Sequence, residues 1–222
     1  MKRLLPLLPL LLLLPSCATT TYDTVIRNGM LYDGSGGPPV RGDLAIRGDR
    51  IAAAGNVHGR GRTELDAHGL AVAPGFINVM SQAQETLLID GRAMSDTLQG
   101  VTTEIFGEGE SMGPVTPAMK KELLDSQGDI KYDVDWTTLR EYLDSLTRRG
   151  VTPNVGSFLG AATPRVYVIG RENRAPGEAE LEQMRAVVRR AMDDGAFGLA
   201  SALIYAPGAY ATTSELTELS KV

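Results

Sequence analysis

Beyond Pro74 the chain changes rhythm, and that change restricts the fold more than any other feature of its 222 residues. Strand-like runs at Gly75–Met80, Val101–Phe106, Val151–Phe158 and Phe197–Ile204 alternate with helical patterns. Strands separated by helices pair in parallel through crossover connections, so an α/β architecture is expected. Trp136, Leu139, Leu143 and Leu146 recur at helical spacing, with Asp135 as the expected cap and Gly150 just past the end. Leu181, Met184, Val188, Ala191 and Met192 form the apolar face of a second helix. Pro176 suits its first position, Glu178, Glu180 and Glu182 its early turns, Arg189 and Arg190 its late turns, and Gly195 its stop. Thr212-Thr213-Ser214-Glu215 reads as a capping box for a last helix of about two turns. Four such strands do not close a barrel, and domains rarely end on an open parallel edge, so a fragment of a longer protein is expected.

Residues 22–73 follow a different pattern, of short alternating runs between turn signals. Val25-Ile26-Arg27 leads to Asn28-Gly29, Met30-Leu31-Tyr32 to Asp33-Gly34, and Asp43 to Arg47 turns back through Gly48-Asp49-Arg50 into Ile51–Gly55. Such spacing predicts hairpins in a small β domain.

The N-terminus reads as a leader. Lys2 and Arg3 precede Leu4–Leu14, an almost pure leucine stretch broken by Pro6 and Pro9. It is shorter than the roughly 20 residues of a membrane span and fits a signal peptide over residues 1–16. Leu14-Pro15-Ser16-Cys17 resembles the bacterial lipobox, which implies lipidation of Cys17, with residues 17–21 as a tether. The alternative is a plain cleaved signal with an incidental cysteine. Cys17 is the only cysteine, so no internal disulfide forms. Ala18 at the next position, by resemblance to Gram-negative lipoproteins, implies the periplasmic face of the outer membrane. The net charge of −5 argues against a nucleic-acid partner, which needs a basic face.

Several segments, in this order, resemble the amidohydrolase superfamily, nearest to the N-acyl-D-amino-acid deacylases. Val25–Gly34 and Asp43–Gly55 are similar to its opening strand pairs. Ala73-Pro74-Gly75-Phe76-Ile77-Asn78 looks like the signature of its first barrel strand, and Gln99-Gly100-Val101-Thr102-Thr103 like the approach to the second. Phe197–Thr213, with Tyr205-Ala206-Pro207-Gly208, resembles a stretch typical of the D-aminoacylases. The resemblance covers nearly all of residues 22–222. It implies a small β-sandwich-type domain followed, from residue 74 to residue 222, by the first half of a (β/α)8 TIM-type barrel.

It also implies hydrolysis of a C–N bond in an N-acyl amino acid or dipeptide-like amide by water activated on zinc. The family's His-x-His, however, is replaced here: Met80 and Gln82 stand where the histidines belong, and neither is a good zinc ligand. The cysteine ligand typical after the second strand is also missing from Gly107–Pro114. Glu108 or Glu110 could replace it as an oxygen ligand; both could equally be solvated loop carboxylates. The remaining metal histidines and the catalytic aspartate are implied beyond Val222. Tyr205 lies where the family places a substrate-contacting tyrosine, or else packs on the rim. Ser81, Gln82 and Ser111 are further polar candidates for the same mouth. His58 and His68 precede the barrel and read as surface or turn residues.

No other chemistry stands out. Gly34-Ser35-Gly36-Gly37 lacks the Lys-Ser/Thr of a phosphate loop, and Ser201 lacks the flanking glycines of a nucleophile elbow. Two other readings stay open: another cyclic-amide or peptide-amide hydrolase of the superfamily, and a catalytically dead envelope protein with a binding or structural role. One barrel hosts many reactions, so the fold does not choose among them.

Overall fold

The computed structural model describes residues 20–222, so the expected signal peptide and Cys17 lie outside the described residues. Two compact units divide between Pro74 and Gly75.

The first unit is one five-stranded sheet. Strands β1 (Thr21–Leu31), β2 (Val40–Arg47), β3 (Arg50–Gly55) and β4 (Arg60–Asp66) lie in the order β3-β2-β1-β4, and β5 (Ala71–Val72) pairs with the end of β1. The β1–β2 and β2–β3 pairs are antiparallel, whereas β4 and β5 run parallel to β1. Among the described residues no second sheet covers this one, so the expected sandwich is replaced by a single layer. Its core is thin: Val25 and Ala45, cross-strand partners, are buried together with Val57. Arg27 adds a polar tie. Its guanidinium donates to Asp43 and Glu64, each at 2.9 Å, and to the carbonyls of Val57 and Gly59. The Asn28-Gly29 signal is not a turn. β1 continues through it as a bulge, with Asn28 at φ 56 and its N–H donated to Asp43 at 2.9 Å. A Cβ on Gly29 would meet Val72 at 2.6 Å, so glycine lets β5 approach.

In the second unit β6 (Phe76–Asn78), β7 (Val101–Phe106) and β8 (Asn154–Ser157) form a parallel sheet in chain order. After Phe158 the chain re-enters a strand as β9 (Leu159–Gly160), parallel to β10 (Leu199–Ala200). The amide of Phe197 donates to the Ser157 carbonyl at 2.9 Å, which carries the pairing across that break. The third and fourth strand segments are shorter than expected: β8 starts only at Asn154, and after Ala200 the chain leaves the sheet as a loop through Tyr205. No closed barrel is present among the described residues. β6 lies at an open edge, with Phe76, Ile77 and Val79 63%, 62% and 68% exposed.

Helices α1 (Met94–Thr97), α2 (Pro117–Asp125), α3 (Leu139–Arg149), α4 (Ala162–Ile169), α5 (Glu178–Asp193) and α6 (Thr213–Ser220) connect or follow the strands. The cap of α3 is Thr138 rather than Asp135. Thr138 accepts the Glu141 N–H, and the Glu141 carboxylate returns to the Thr138 N–H, completing a capping box. The expected start fails because Trp136 is drawn into the core ahead of the helix. It is 1% exposed, its ring stacks on Tyr132 and tilts against Tyr142, and its indole N–H donates to the Met112 carbonyl. Helix α5 begins after Gly177, not at Pro176, and Glu180 accepts the Gly177 N–H at 2.7 Å. Helix α4 carried no clear sequence signal, whereas α2 opens on a Thr116 cap followed by Pro117. Two apolar clusters form the core. One joins Phe106, Trp136, Leu139, Tyr142 and Leu146 to Leu87 and Leu88, and the other joins Leu159 to Met184, Val188, Ala191 and Leu219.

Candidate functional site

A cavity of about 230 Å³ opens where the chain leaves the carboxyl ends of the parallel strands. Gln82 and Gln84 come from the segment after β6, Gly107–Glu110 from the loop after β7, Ala162 from the start of α4, and Ala202, Tyr205, Ala206 and Gly208 from the loop after β10. Parallel strands end in loops that share one face, so residues distant in sequence meet there.

Of the residues singled out from the sequence, Gln82, Glu108, Glu110 and Tyr205 line this cavity. Tyr205 is 67% exposed at the cavity. Ser81 and Ser111 do not line it; both are buried and committed to the scaffold. Ser111 Oγ donates to the Phe158 carbonyl at 3.0 Å and accepts the Gly160 N–H at 2.7 Å, lacing the β7 loop to β9. Ser81 Oγ lies 2.6 Å from Oε2 of Glu104, a fully buried glutamate on β7. Met80 is exposed and lies outside the cavity lining.

The two cavity carboxylates differ. Glu110 is spoken for: Arg171 Nη1 and Nη2 donate to its two oxygens at 2.8 and 3.2 Å. Arg171 also donates through Nε to Glu122 of α2 at 2.5 Å. Hydrogen bonds donated to Glu110, and then to Glu122, hold the guanidinium pKa above its usual value against the opposing effect of burial. Glu108 makes no hydrogen bond or ion pair among the described residues.

Sequence reasoning missed Gln84, Arg171 and Glu104. Gln84 carried a signal, since Gln82 and Gln84 alternate along one segment. Arg171 carried none, because its partner Glu110 lies 61 residues away; Glu104 showed only as a charge beside the apolar Ile105-Phe106, with its partner Ser81 23 residues away. His58 and His68 are exposed residues of the first unit, and His68 occupies a turn at φ 50.

Zinc, implied by the resemblance, needs about four donors, of which a catalytic site takes three from the protein. Among the described residues no group of three His, Cys, Asp or Glu side chains is placed to hold a metal. One of the two cavity carboxylates is bound to a guanidinium, and a thioether and an amide stand at the histidine positions. These residues do not fit the metal.

No protein-family model matches the chain. It is 36% identical over 204 residues to an N-acyl-D-aspartate deacylase of Alcaligenes xylosoxydans xylosoxydans, covering 91% of this chain and 41% of that protein. It is 35% identical over 206 residues to a D-aminoacylase of the same organism, covering 90% and 42%. Among solved structures, an N-acyl-D-glutamate deacylase from Bordetella bronchiseptica superposes with a TM-score of 0.78 at 32% identity, over 90% of this chain and 42% of that one. That structure contains zinc and a phosphonate inhibitor that mimics the tetrahedral intermediate of its reaction.

Parallel strands that gather polar loops at their carboxyl ends, together with these likenesses, define a mixed α/β protein of amidohydrolase type. The chain is homologous to the N-terminal part of the D-aminoacylase-like amidohydrolases. It spans less than half the length of the curated relatives it matches.

Proposed function

We propose that the protein hydrolyses a C–N bond in an N-acyl amino acid or a related dipeptide-like amide. The carrying observation is the convergence of Gln82, Gln84, Glu108 and Tyr205 on one cavity, where none of the four makes a side-chain hydrogen bond among the described residues. Amide and phenol groups left without internal partners suit a ligand that brings both donors and acceptors, as an amide does. The Tyr205 phenol would donate to a carbonyl oxygen as negative charge builds on it. The glutamine amides would orient the acyl-amide plane, and Glu108 would accept an N–H. Export and lipidation at Cys17, placing the protein at a membrane surface, belong to the same proposal. Among the described residues no helix is long and apolar enough to cross a membrane.

A second reading, an envelope protein that binds such amides without turning them over, is favoured by the poor metal donor set. One experiment separates the two. The purified protein is mixed with N-acetyl-D-leucine, N-acetyl-D-glutamate and N-acetyl-D-lysine, with and without zinc, while free amine and binding heat are followed. Amine release supports the hydrolase; binding heat without release supports the second reading. Neither signal with any of the three would sink both.

A further inference from the structure

We propose that Glu104 is a positioning residue for the cavity: its buried carboxylate clamps Ser81 and thereby fixes the backbone that presents Gln82 and Gln84. Glu104 sits inside β7 where the run Ile105-Phe106 is apolar, and it is 0% exposed. Side chains alternate along a strand, so Glu104 shares a face with Phe106, which is part of the larger apolar cluster. A carboxylate at such a place breaks the apolar pattern, and such breaks concentrate at functional or strained sites.

The hydrogen count fixes the direction of each bond. Ser81 Oγ accepts the N–H of Ala83 at 3.1 Å, so its single hydrogen is available for Glu104 Oε2 at 2.6 Å. The Ser81 N–H donates to the carbonyl of Ile105, the residue after Glu104, at 2.9 Å. Ser81 is therefore tied to β7 through both side chain and backbone, and Ala83 is tied to Ser81. Farther on, the Tyr142 hydroxyl donates to the Gln84 carbonyl at 2.8 Å. Gln82 lies between these anchors and makes no side-chain bond of its own, so its place in the cavity is set by its neighbours. Glu104 Oε1 has no hydrogen-bond partner among the described residues, so the residue is expensive to keep as a mere filler. Burial raises the pKa of its carboxyl, with the Ser81 hydrogen bond opposing part of the rise.

Hydrogen exchange tests the clamp directly, with Glu104→Leu, Glu104→Gln and Ser81→Ala compared with the parent. Losing a buried hydrogen bond of this kind should speed exchange at the Ala83 amide by about tenfold in Glu104→Leu and Ser81→Ala. Glu104→Gln, which keeps an acceptor for Ser81, should restore protection, and α5 should be unchanged in all three. Unchanged exchange at Ala83 in Ser81→Ala would overturn the clamp even if Glu104→Leu does not fold. So would a rise in Glu104→Leu that is equally large across α5, which marks general loosening. The consequence for ligands rests on the substrate-site reading above. If that reading holds, Glu104→Leu weakens N-acetyl-D-leucine binding about tenfold and Glu104→Gln does not. A parent protein that binds no N-acetyl amino acid would defeat the substrate reading and leave the exchange result standing.

Discussion

A single guanidinium nitrogen of Arg165, Nη1, reaches both carboxylate oxygens of Glu215, at 3.0 and 2.7 Å, with both side chains almost completely buried. The other terminal nitrogen donates to the carbonyls of Glu172 and Arg174, while Nε has no partner among the described residues. This explains why the capping box at Thr212–Glu215 is only half made. Thr212 accepts the Glu215 N–H at 3.1 Å, but the Glu215 carboxylate is turned toward α4. The pair ties α4 to α6, and the Tyr205 loop enters α6.

Removing one partner of a buried pair strands the other charge. Glu215→Ala should cost about 3–5 kcal/mol of unfolding free energy, and Arg165→Met/Glu215→Leu should recover most of it. Urea titration followed by far-UV circular dichroism measures both. A loss below about 1 kcal/mol in Glu215→Ala would show that the pair is not the tie described.

The stability contribution of Glu104 should depend on pH with a definite sign. Its folded pKa lies above the ordinary 4.5 because burial disfavours the charged form. The unfolded chain then releases this proton first. Its favourable contribution is present in full below pH 4.5 and is lost as pH rises through the raised folded value. Glu104→Gln cannot ionise, so its urea midpoint should gain on the parent's as pH rises from 4.5 toward neutrality. Parallel curves for the two proteins would contradict this.

The α3 cap makes a sharp comparison between neighbouring residues. Thr138→Ala removes the acceptor for the Glu141 N–H and should cost about 1 kcal/mol, while Thr138→Ser should be close to neutral. Asp135→Ala, at the position the sequence pattern favoured, should stay within about 0.5 kcal/mol of the parent. Thermal unfolding ranks the three, and a larger loss at Asp135 than at Thr138 would reverse the assignment.

Arg171 should tune which ligands the cavity accepts. Its removal in Arg171→Met leaves Glu110 uncompensated beside Glu108. On the proposed reading, affinity should then shift toward N-acetyl-D-lysine over N-acetyl-D-glutamate by about fivefold, less at high salt. Glu108→Gln should shift it the other way. Calorimetric titration of both ligands at two salt concentrations reads the effect, and an unchanged ratio in both variants would remove the electrostatic argument.

The sequence pattern carried the alternation of strand and helix after Pro74, because each element keeps its own period of apolar residues. It also carried Gln82, Glu108 and Tyr205 as site candidates, since parallel strands place their exit loops on one face. It failed where tertiary contact outweighs local preference. Helix α4 holds Thr163, Pro164, Val166 and Val168, residues that do not favour helix on their own, and burial of most of its length keeps it helical. Asn28-Gly29 has the composition of a turn, but Asp43 holds it as a bulge. Glu104 and Arg165 look like surface residues in sequence, because the groups that make their burial tolerable come from distant parts of the chain.

The exposed trio Phe76, Ile77 and Val79, on or just past a short strand with an unpaired edge, has a consequence for handling the polypeptide. Such a surface resembles what folding chaperones recognise, and it offers a template for edge-to-edge assembly. Residues 75–222 expressed alone should therefore depend strongly on concentration and growth temperature for soluble yield. Lysine at Ile77 or Val79 should improve that yield without touching the cavity.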